Sequence, residues 1–335
     1  MQIRLRSFPD EVMRAAQLAG ALEVSGWPKP GNVHRVADFA DTRFEQFLAG
    51  SIALGPAVRR AAKRGVLEAS GKISMEELGL GNCIKKAVSD VRSWHRGGNT
   101  HLGVSLLFIP LAASAGLTFA SSGKLTIRSL RKNVAKVVRA TTTKDTLDVY
   151  RAIRLAKPAG LGELESLMAP SLNEKNAESR IAKEGITLFA VMKTSAEWDN
   201  IAGEWTSDMH VTFEIGCPTF IKTYRDTGEV NTATVHTFLT ILDRVPDTFI
   251  ARKVGTRFTK DIRHATKIGL KEARRVSSRA SQVLKAGGLL TLNGQRELKA
   301  FDEELRTAGN ELNPGTTADL TASSLLTAIL CGARP

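Results

Sequence analysis

One long uncharged segment limits the architectures open to this chain. Residues 102–123 contain no charged side chain and are long enough to cross a bilayer as a helix. The segment nevertheless includes Pro110, three glycines and four serines, is solitary, and lacks the basic and aromatic flanks of a membrane anchor. We therefore predict a helix buried on all sides at the centre of a helical protein, and no membrane association.

Helical spacing of apolar residues dominates the rest of the chain. It predicts helices over 13–24, 41–64, 74–94, 125–139, 144–156, 186–193, 198–224, 232–244, 248–254, 258–285, 289–308 and 320–330. Val211, Phe213 and Ile215 alternate as in a strand, but no partner strand is apparent. The predicted fold is therefore all-α, as a single large multi-helix domain over 1–335 with a central buried apolar helix. The polar, Pro- and Gly-containing stretch 157–184 is the expected flexible loop, with a domain boundary there as the alternative.

Positive charge is unevenly distributed along the chain. The 47 lysines and arginines outnumber the 34 aspartates and glutamates, which gives a net charge of +13. Residues 252–285 supply +9 of it, with eleven basic and two acidic residues, on a predicted amphipathic helix that also carries a seam of small residues. Such an excess points to a polyanionic partner, which could be nucleic acid, a membrane surface or a phosphorylated small molecule.

Cysteine and histidine usage argues against a disulfide or zinc framework. Cys83, Cys217 and Cys331 are widely spaced and form no Cys-x-x-Cys pair, and the six histidines have no metal-ligand spacing. The N-terminal residues lack the apolar run of a secretory signal, so we expect reduced thiols and a cytoplasmic protein. The sequence also lacks the P-loop, dinucleotide, His-Glu-x-x-His and Gly-x-Ser-x-Gly signatures.

Three polar breaks, each at the head of a helix, interrupt the helical pattern. They read Pro-Lys-Pro-Gly-Asn-Val-His-Arg at 28–35, Gly-Gly-Asn-Thr-His-Leu-Gly at 97–103 and Asn-Pro-Gly-Thr-Thr-Ala-Asp at 313–319. A helix N-terminus offers free N–H groups and the positive end of the dipole, which suit an anion. If the three breaks gather at one end of a helical bundle, they form a polar pocket for a polyphosphate. Taken singly, each is equally compatible with an ordinary loop or helix cap.

In this order, the breaks resemble the motifs of the triphosphoribosyl-dephospho-CoA synthase family, which are Pro-Lys-Pro-Gly, Gly-x-Asn-Thr-His/Asn-x-Gly and a closing Asn-Pro-Gly-x-x-Ala-Asp. They stand here at 28–31, 97–103 and 313–319, and 235–252 resembles the penultimate motif of the family. The resemblance implies an all-α transferase that moves the triphosphoribosyl group of ATP to the 2′-hydroxyl of dephospho-CoA and releases adenine. It implies ATP as a substrate, and we expect Mg²⁺ with it.

Such a reaction cleaves an N-glycoside through an oxocarbenium-like state. It needs a carboxylate near the anomeric carbon, an acid for the departing base, a base for the hydroxyl and cations around the triphosphate. We assign the carboxylate to Glu23, Asp41 or Glu45, and proton transfer to His34 or His101. The expected substrate and phosphate ligands are Lys29, Asn32, Arg35, Gly98, Asn99, Thr100, His236, Arg252, Asn313 and Asp319, and the expected Mg²⁺ ligands are Asp145 and Asp148. The alternatives are a helix cap for Asp41, a capping-box partner for Glu45 and a solvated helix position for Glu23.

Three positions depart from the family pattern. His34 stands where many members have aspartate, Leu102 where many have lysine, and 251–253 reads Ala-Arg-Lys where His-Arg-Gly is usual. These changes indicate a divergent branch, whose acceptor could be another phosphorylated molecule. The alternative function is a nucleic-acid-binding or non-catalytic helical protein that uses the basic face of 252–285, although aromatic residues are only 6% of the chain. The sequence leaves the oligomeric state open, with a homo-oligomer as one alternative.

Overall fold

We describe the protein from a computed structural model, over residues 2–158, 170–172, 174, 176–307 and 309–334. These residues form an all-α fold without strands, as the sequence predicts. The helices are α1 (Gln2–Ser25), α2 (Phe44–Ala53), α3 (Gly55–Ala69), α4 (Leu80–Trp94), α5 (Leu102–Ser122), α6 (Ile127–Arg139), α7 (Thr143–Ala156), α8 (Ala177–Glu184), α9 (Leu188–Ser195), α10 (Asn200–Thr206), α11 (Cys217–Thr227), α12 (Val230–Arg244), α13 (Thr248–Gly255), α14 (Ile262–Lys285), α15 (Leu292–Arg306) and α16 (Gly315–Leu330).

Helix α5 is the predicted central helix. It is long and apolar enough to cross a membrane, but 89% of its most hydrophobic window is buried inside the protein. Its backbone contacts that of α3 directly, because a Cβ at Gly116 would lie 1.9 Å from the carbonyl oxygen of Ala62, and one at Gly65 would lie 1.9 Å from that of Ala113. The glycines thus let the two helices cross at backbone contact.

Several predicted helices are interrupted. The helix predicted over 41–64 breaks at Leu54 into α2 and α3, and α2 begins at Phe44, so the prediction of Asp41 as its N-cap was wrong. Asp38 instead accepts the N–H of Phe44 at 2.8 Å, because the chain turns back on itself before the helix. A short 3₁₀ helix, Glu76–Leu78, precedes α4.

The predicted helix 198–224 also divides. It contains α10, a π-helix at Val211–Gly216 and α11, so the alternating Val211, Phe213 and Ile215 lie in a helix, as favoured. Glu204 stabilises the break, because its buried carboxylate accepts the N–H groups of Val211 and Thr212 at 2.7 and 2.9 Å.

The prediction of a flexible loop at 157–184 is partly wrong. Residues 177–184 form α8, whose Ile181 and Ala177 are buried beside Tyr150 of α7. Residues 159–169, 173 and 175 of this stretch lie outside the described residues.

The basic helix α14 packs through its predicted small-residue seam. A Cβ at Gly269 would lie 1.9 Å from the carbonyl oxygen of Ala251, and one at Gly255 would lie 1.7 Å from that of Ala265. Helices α12 to α15 share an apolar cluster, next to the larger cluster around α5. The single-domain organisation stays a prediction.

Candidate active site

The Pro-Lys-Pro-Gly segment places a charged pair in the interior. Lys29 has no exposed surface, and its ammonium donates hydrogen bonds to the carboxylate of Glu23 on α1 and to Asn32 Oδ1, the latter at 3.0 Å. Burial raises the pKa of Glu23 and lowers the pKa of Lys29, while their mutual attraction opposes both shifts. The pair fixes the segment against α1.

A series of side-chain amides joins this segment to the closing motif. Asn32 Nδ2 donates to Asn313 Oδ1 at 2.8 Å, across 281 positions of sequence, and Asn313 Nδ2 donates to Asn310 Oδ1 at 3.0 Å. Asn310 in turn donates to the Asp41 carboxylate at 3.3 Å and accepts hydrogen bonds from the ammonium of Lys253. Asp41 is exposed, yet it lies at the same end of the molecule as the first break.

Helix α15 binds the opposite side of the first break. The N–H of Gly31 donates to Asp302 Oδ1 at 2.8 Å, and Arg306 donates to the carbonyl oxygen of Asn32 at 2.5 Å. His34 Nε2 lies 3.1 Å from Arg306 Nη2 and 3.6 Å from Asp302 Oδ2. Burial lowers the pKa of His34, against the pull of the Asp302 carboxylate. The histidine that departs from the family pattern thus faces a carboxylate supplied by another helix.

Asp319 brings the second and third breaks together. Its carboxylate lies against the first turn of α5. A side chain at Gly103 has no room, because its Cβ would lie 2.0 Å from Asp319 Oδ2. Burial raises the pKa of Asp319 well above its usual value, and the negative charges nearby raise it further, those of Glu23, Asp247 and Asp199. Asp319 therefore keeps its proton to a higher pH than an ordinary aspartate does.

The glycine-rich turn is held by a directed series of hydrogen bonds with lengths of 2.8–3.1 Å. A backbone N–H only donates and a carbonyl only accepts, so the two ends fix one direction of donation. It runs from the N–H of Gly97 through His95, Thr100, His101 and Ser51 to the carbonyl oxygen of Phe47. Burial lowers the pKa of His101 to about 3, so its imidazole is neutral. Both nitrogens of this neutral ring are used in the series. His101 is placed as a structural support of the turn.

Asp247 ties the penultimate motif to the closing one. Its Oδ1 accepts the N–H groups of Phe249 and Ile250 at the start of α13. Its Oδ2 accepts the N–H and the hydroxyl of Thr317 at 2.7 and 2.8 Å. Helices α13 and α16 therefore begin side by side.

Arg252 has an unused donor at this end of the protein. Its Nη1 pairs with Asp199, the residue that caps α10. Its Nε is buried and has no hydrogen-bond partner among the described residues. Leaving a buried N–H without an acceptor costs free energy, so Arg252 is suited to a ligand that supplies a phosphate oxygen.

The three breaks thus meet at one end of the bundle. The first joins the third through Asn32 and Asn313, and the second joins the third through Gly103 and Asp319. We call Glu23, Lys29, Asn32, Arg252, Asn313 and Asp319 the polar centre.

The comparison with protein families agrees with this arrangement. The model of the CitG family, ATP:dephospho-CoA triphosphoribosyl transferase, matches residues 9–334. The chain belongs to this family. The resemblance drawn from the three motifs is confirmed, and so is the expectation of an enzyme that transfers a triphosphoribosyl group from ATP to dephospho-CoA.

A solved structure supports the fold of this transferase. The crystal structure of a protein from Archaeoglobus fulgidus, described as a triphosphoribosyl-dephospho-CoA synthase, is similar to 86% of this chain and 100% of its own, with a TM-score of 0.57 and 23% sequence identity. No curated protein gives a significant match to the chain.

Asp145 and Asp148 do not fit the predicted metal site. Asp145 Oδ1 accepts the N–H of Gly81 at 2.8 Å, and its other oxygen caps the first turn of α7. Asp148 pairs with Lys85 of α4. Among the residues that the structure describes, no group of three or more His, Cys, Asp or Glu side chains could hold a metal ion. Mg²⁺ stays a prediction without assigned protein ligands.

Other predicted residues lie outside the polar centre. His236 Nε2 accepts the N–H of Leu289 at 3.1 Å and supports a turn before α15. Arg35 is exposed, with its guanidinium 5.6 Å from the centre of the Trp27 ring. Glu45 is exposed in the first turn of α2.

Some residues of the second break are exposed at the start of α5. Gly98 and Asn99 are exposed, and Asn99 Oδ1 accepts the N–H of Leu102 at 3.1 Å. Asn99 thus bonds to the first N–H group of α5, whose N-cap position is occupied by His101.

Sequence reasoning missed five residues around the centre: Asp199, Lys253, Asp302, Arg306 and Asn310. Asp302 and Arg306 are four apart on α15, a spacing typical of an ordinary surface ion pair. Lys253 could have been identified from the sequence, because it stands where the family usually has glycine. Burial lowers its pKa to about 8.

Proposed function

We propose that the polar centre is the catalytic site at which this transferase moves the triphosphoribosyl group of ATP to the 2′-hydroxyl of dephospho-CoA. One observation carries the proposal: the three motifs meet at one end of the bundle beside Asp319, a half-buried acid with a raised pKa, next to Glu23 and its cation. Cleavage of the bond between ribose and adenine needs an acid and a carboxylate close together, and this end of the bundle supplies both.

Asp319 is the proposed proton donor to the departing adenine. Its environment disfavours the charged form, which keeps the acid protonated for this step. Glu23 has the ammonium of Lys29 beside it, which favours its charged form relative to Asp319. Glu23 is the proposed carboxylate that stabilises positive charge on the ribose and accepts the proton of the attacking hydroxyl. Two neighbouring carboxyl groups thus take different roles because their environments differ.

The triphosphate is assigned to Arg252. The buried Nε lacks an acceptor, and a phosphate oxygen would satisfy it with a charge-assisted hydrogen bond. The amides of Asn32 and Asn313 already bond to each other at 2.8 Å, which holds the first and third motifs together.

The replacement Asp319→Asn tests the proposal. Asparagine keeps the size of the side chain and removes its acidic proton, so adenine release from ATP and dephospho-CoA, followed by chromatography, should fall by about 10²–10⁴-fold. The wild-type rate should also decline as the pH rises through the raised pKa of Asp319, because the protonated form is the active one.

Asp148→Asn is the matched control, since Asp148 pairs with Lys85 away from the polar centre. It should retain adenine release. Near-normal adenine release by Asp319→Asn would refute the assignment. A loss of adenine release in Asp148→Asn alone would instead assign catalysis to the carboxylates of α7.

A further inference from the structure

A surface groove lies at the first turns of the basic helix α14. It is open to solvent, has a volume of about 470 Å³ and is lined by Asp261, Arg263, His264, Lys267 and Ile268. Asp261 is occupied as the helix cap, since its Oδ1 accepts the N–H of His264 at 2.7 Å. The cationic side chains Arg263 and Lys267 are exposed along the groove.

Within the described residues, two of the seven Lys and Arg side chains of α14 form ion pairs, and both lie in its second half. Arg275 and Arg279 pair with carboxylates of α14 and α15, namely Glu272, Glu297 and Glu304. Over the described part of the chain, by contrast, the other cationic side chains of α14 form no ion pair within 4.0 Å, namely Arg263, Lys267, Lys271, Arg274 and Lys285. Unpaired cations along a groove attract anions and raise their local concentration.

The groove adjoins the polar centre through Trp198. The guanidinium of Arg263 lies 4.5 Å from the centre of the buried Trp198 ring. The next residue, Asp199, pairs with Arg252 and contributes to the raised pKa of Asp319. The backbone contacts between α13 and α14 hold this edge in place.

We propose that this groove binds the diphosphate of the nucleotide acceptor. The inference rests on the proposed function. The triphosphate of the donor must stay close to the ribose that is cleaved, where Arg252 has its unused donor. The acceptor brings only its 2′-hydroxyl to the reaction, so its diphosphate and neutral arm extend outward from the centre. Along the groove, the cationic side chains are followed by Ile268, which is 39% exposed. This order matches a diphosphate that is followed by a less polar arm.

Charge reversal at one end of α14 tests the inference. Lys267→Glu should raise the KM for dephospho-CoA by about tenfold and leave kcat and the KM for ATP within about twofold. With adenosine as the acceptor, which has no diphosphate, the same variant should behave like the wild type. Lys285→Glu is the matched control, because it makes the same charge change on an exposed residue about 27 Å further along the helix.

Equal effects of the two variants, or an effect of Lys267→Glu on the KM for ATP alone, would overturn the inference. So would unchanged kinetics together with a loss of DNA binding in Lys267→Glu, which would indicate a nucleic-acid surface. Calorimetric binding of dephospho-CoA to the wild type and to both variants needs no turnover. Absence of adenine release by the wild type would therefore refute the proposed function, while the calorimetry would still decide the groove.

Discussion

At the scale of single residues, His101 has a side chain that could transfer protons, but both of its nitrogens are used in hydrogen bonds within the protein. Its two nitrogens bond to Thr100 at 2.8 Å and to Ser51 at 3.1 Å, and its ring fills the space above Gly50, where a Cβ would lie 2.4 Å from Nδ1. A neutral imidazole bonded on both sides has no lone pair or proton to offer a substrate. We therefore expect His101 to position the glycine-rich turn.

A pair of His101 variants checks this expectation. His101→Leu removes one of the two hydrogen bonds made by each of two buried hydroxyls, those of Thr100 and Ser51, which should cost about 1–3 kcal/mol of stability and lower adenine release. His101→Asn, the other residue found in this family motif, retains a donor and an acceptor and should keep activity with an unchanged pH profile. A shifted or flattened pH profile in the asparagine variant would instead assign His101 to proton transfer.

At the scale of elements, the crossing of α3 and α5 depends on missing side chains. Gly116→Ala would drive a methyl group into the carbonyl of Ala62, at 1.9 Å, so the two helices must separate. We expect a loss of about 1–3 kcal/mol in urea unfolding. Gly203→Ala is the control, because the nearest atom to its Cβ is 3.8 Å away and alanine favours a helix. Equal stability of the two variants would contradict backbone contact at this crossing.

At the scale of the whole molecule, the raised pKa of Asp319 links stability to pH. The folded protein holds this proton where the unfolded chain has released it, so the contribution of Asp319 falls as the pH rises above about 4 towards the raised pKa. Asp319→Asn removes this dependence. Its free energy of unfolding, measured with urea at several pH values, should therefore increase relative to the wild type by up to about 1.4 kcal/mol per pH unit. A difference that is constant with pH would show that the carboxyl group is already ionised in the folded protein.

The local chemistry of this protein could be predicted from its sequence. Runs of apolar residues at helical spacing gave the all-α fold, and the absence of charge from 102–123 gave the buried α5. Helix boundaries were less predictable. Leu54 ends the first part of the helix predicted over 41–64, and Pro56 lies in the first turn of α3, where its missing N–H costs no helical hydrogen bond.

The three motifs, their order and the excess of basic residues in α14 were determined by the sequence alone, because they depend only on residue type and spacing. The tertiary structure decided which residues of the motifs meet. Asn32 bonds to a residue 281 positions away, and Gly103 makes room for Asp319 only because α5 and α16 begin at the same end. The same packing places Asp145, Asp148 and His236 elsewhere, in contact with Gly81, Lys85 and Leu289. Burial and neighbouring charges set the proton affinity of Asp319, and both are properties of the folded chain.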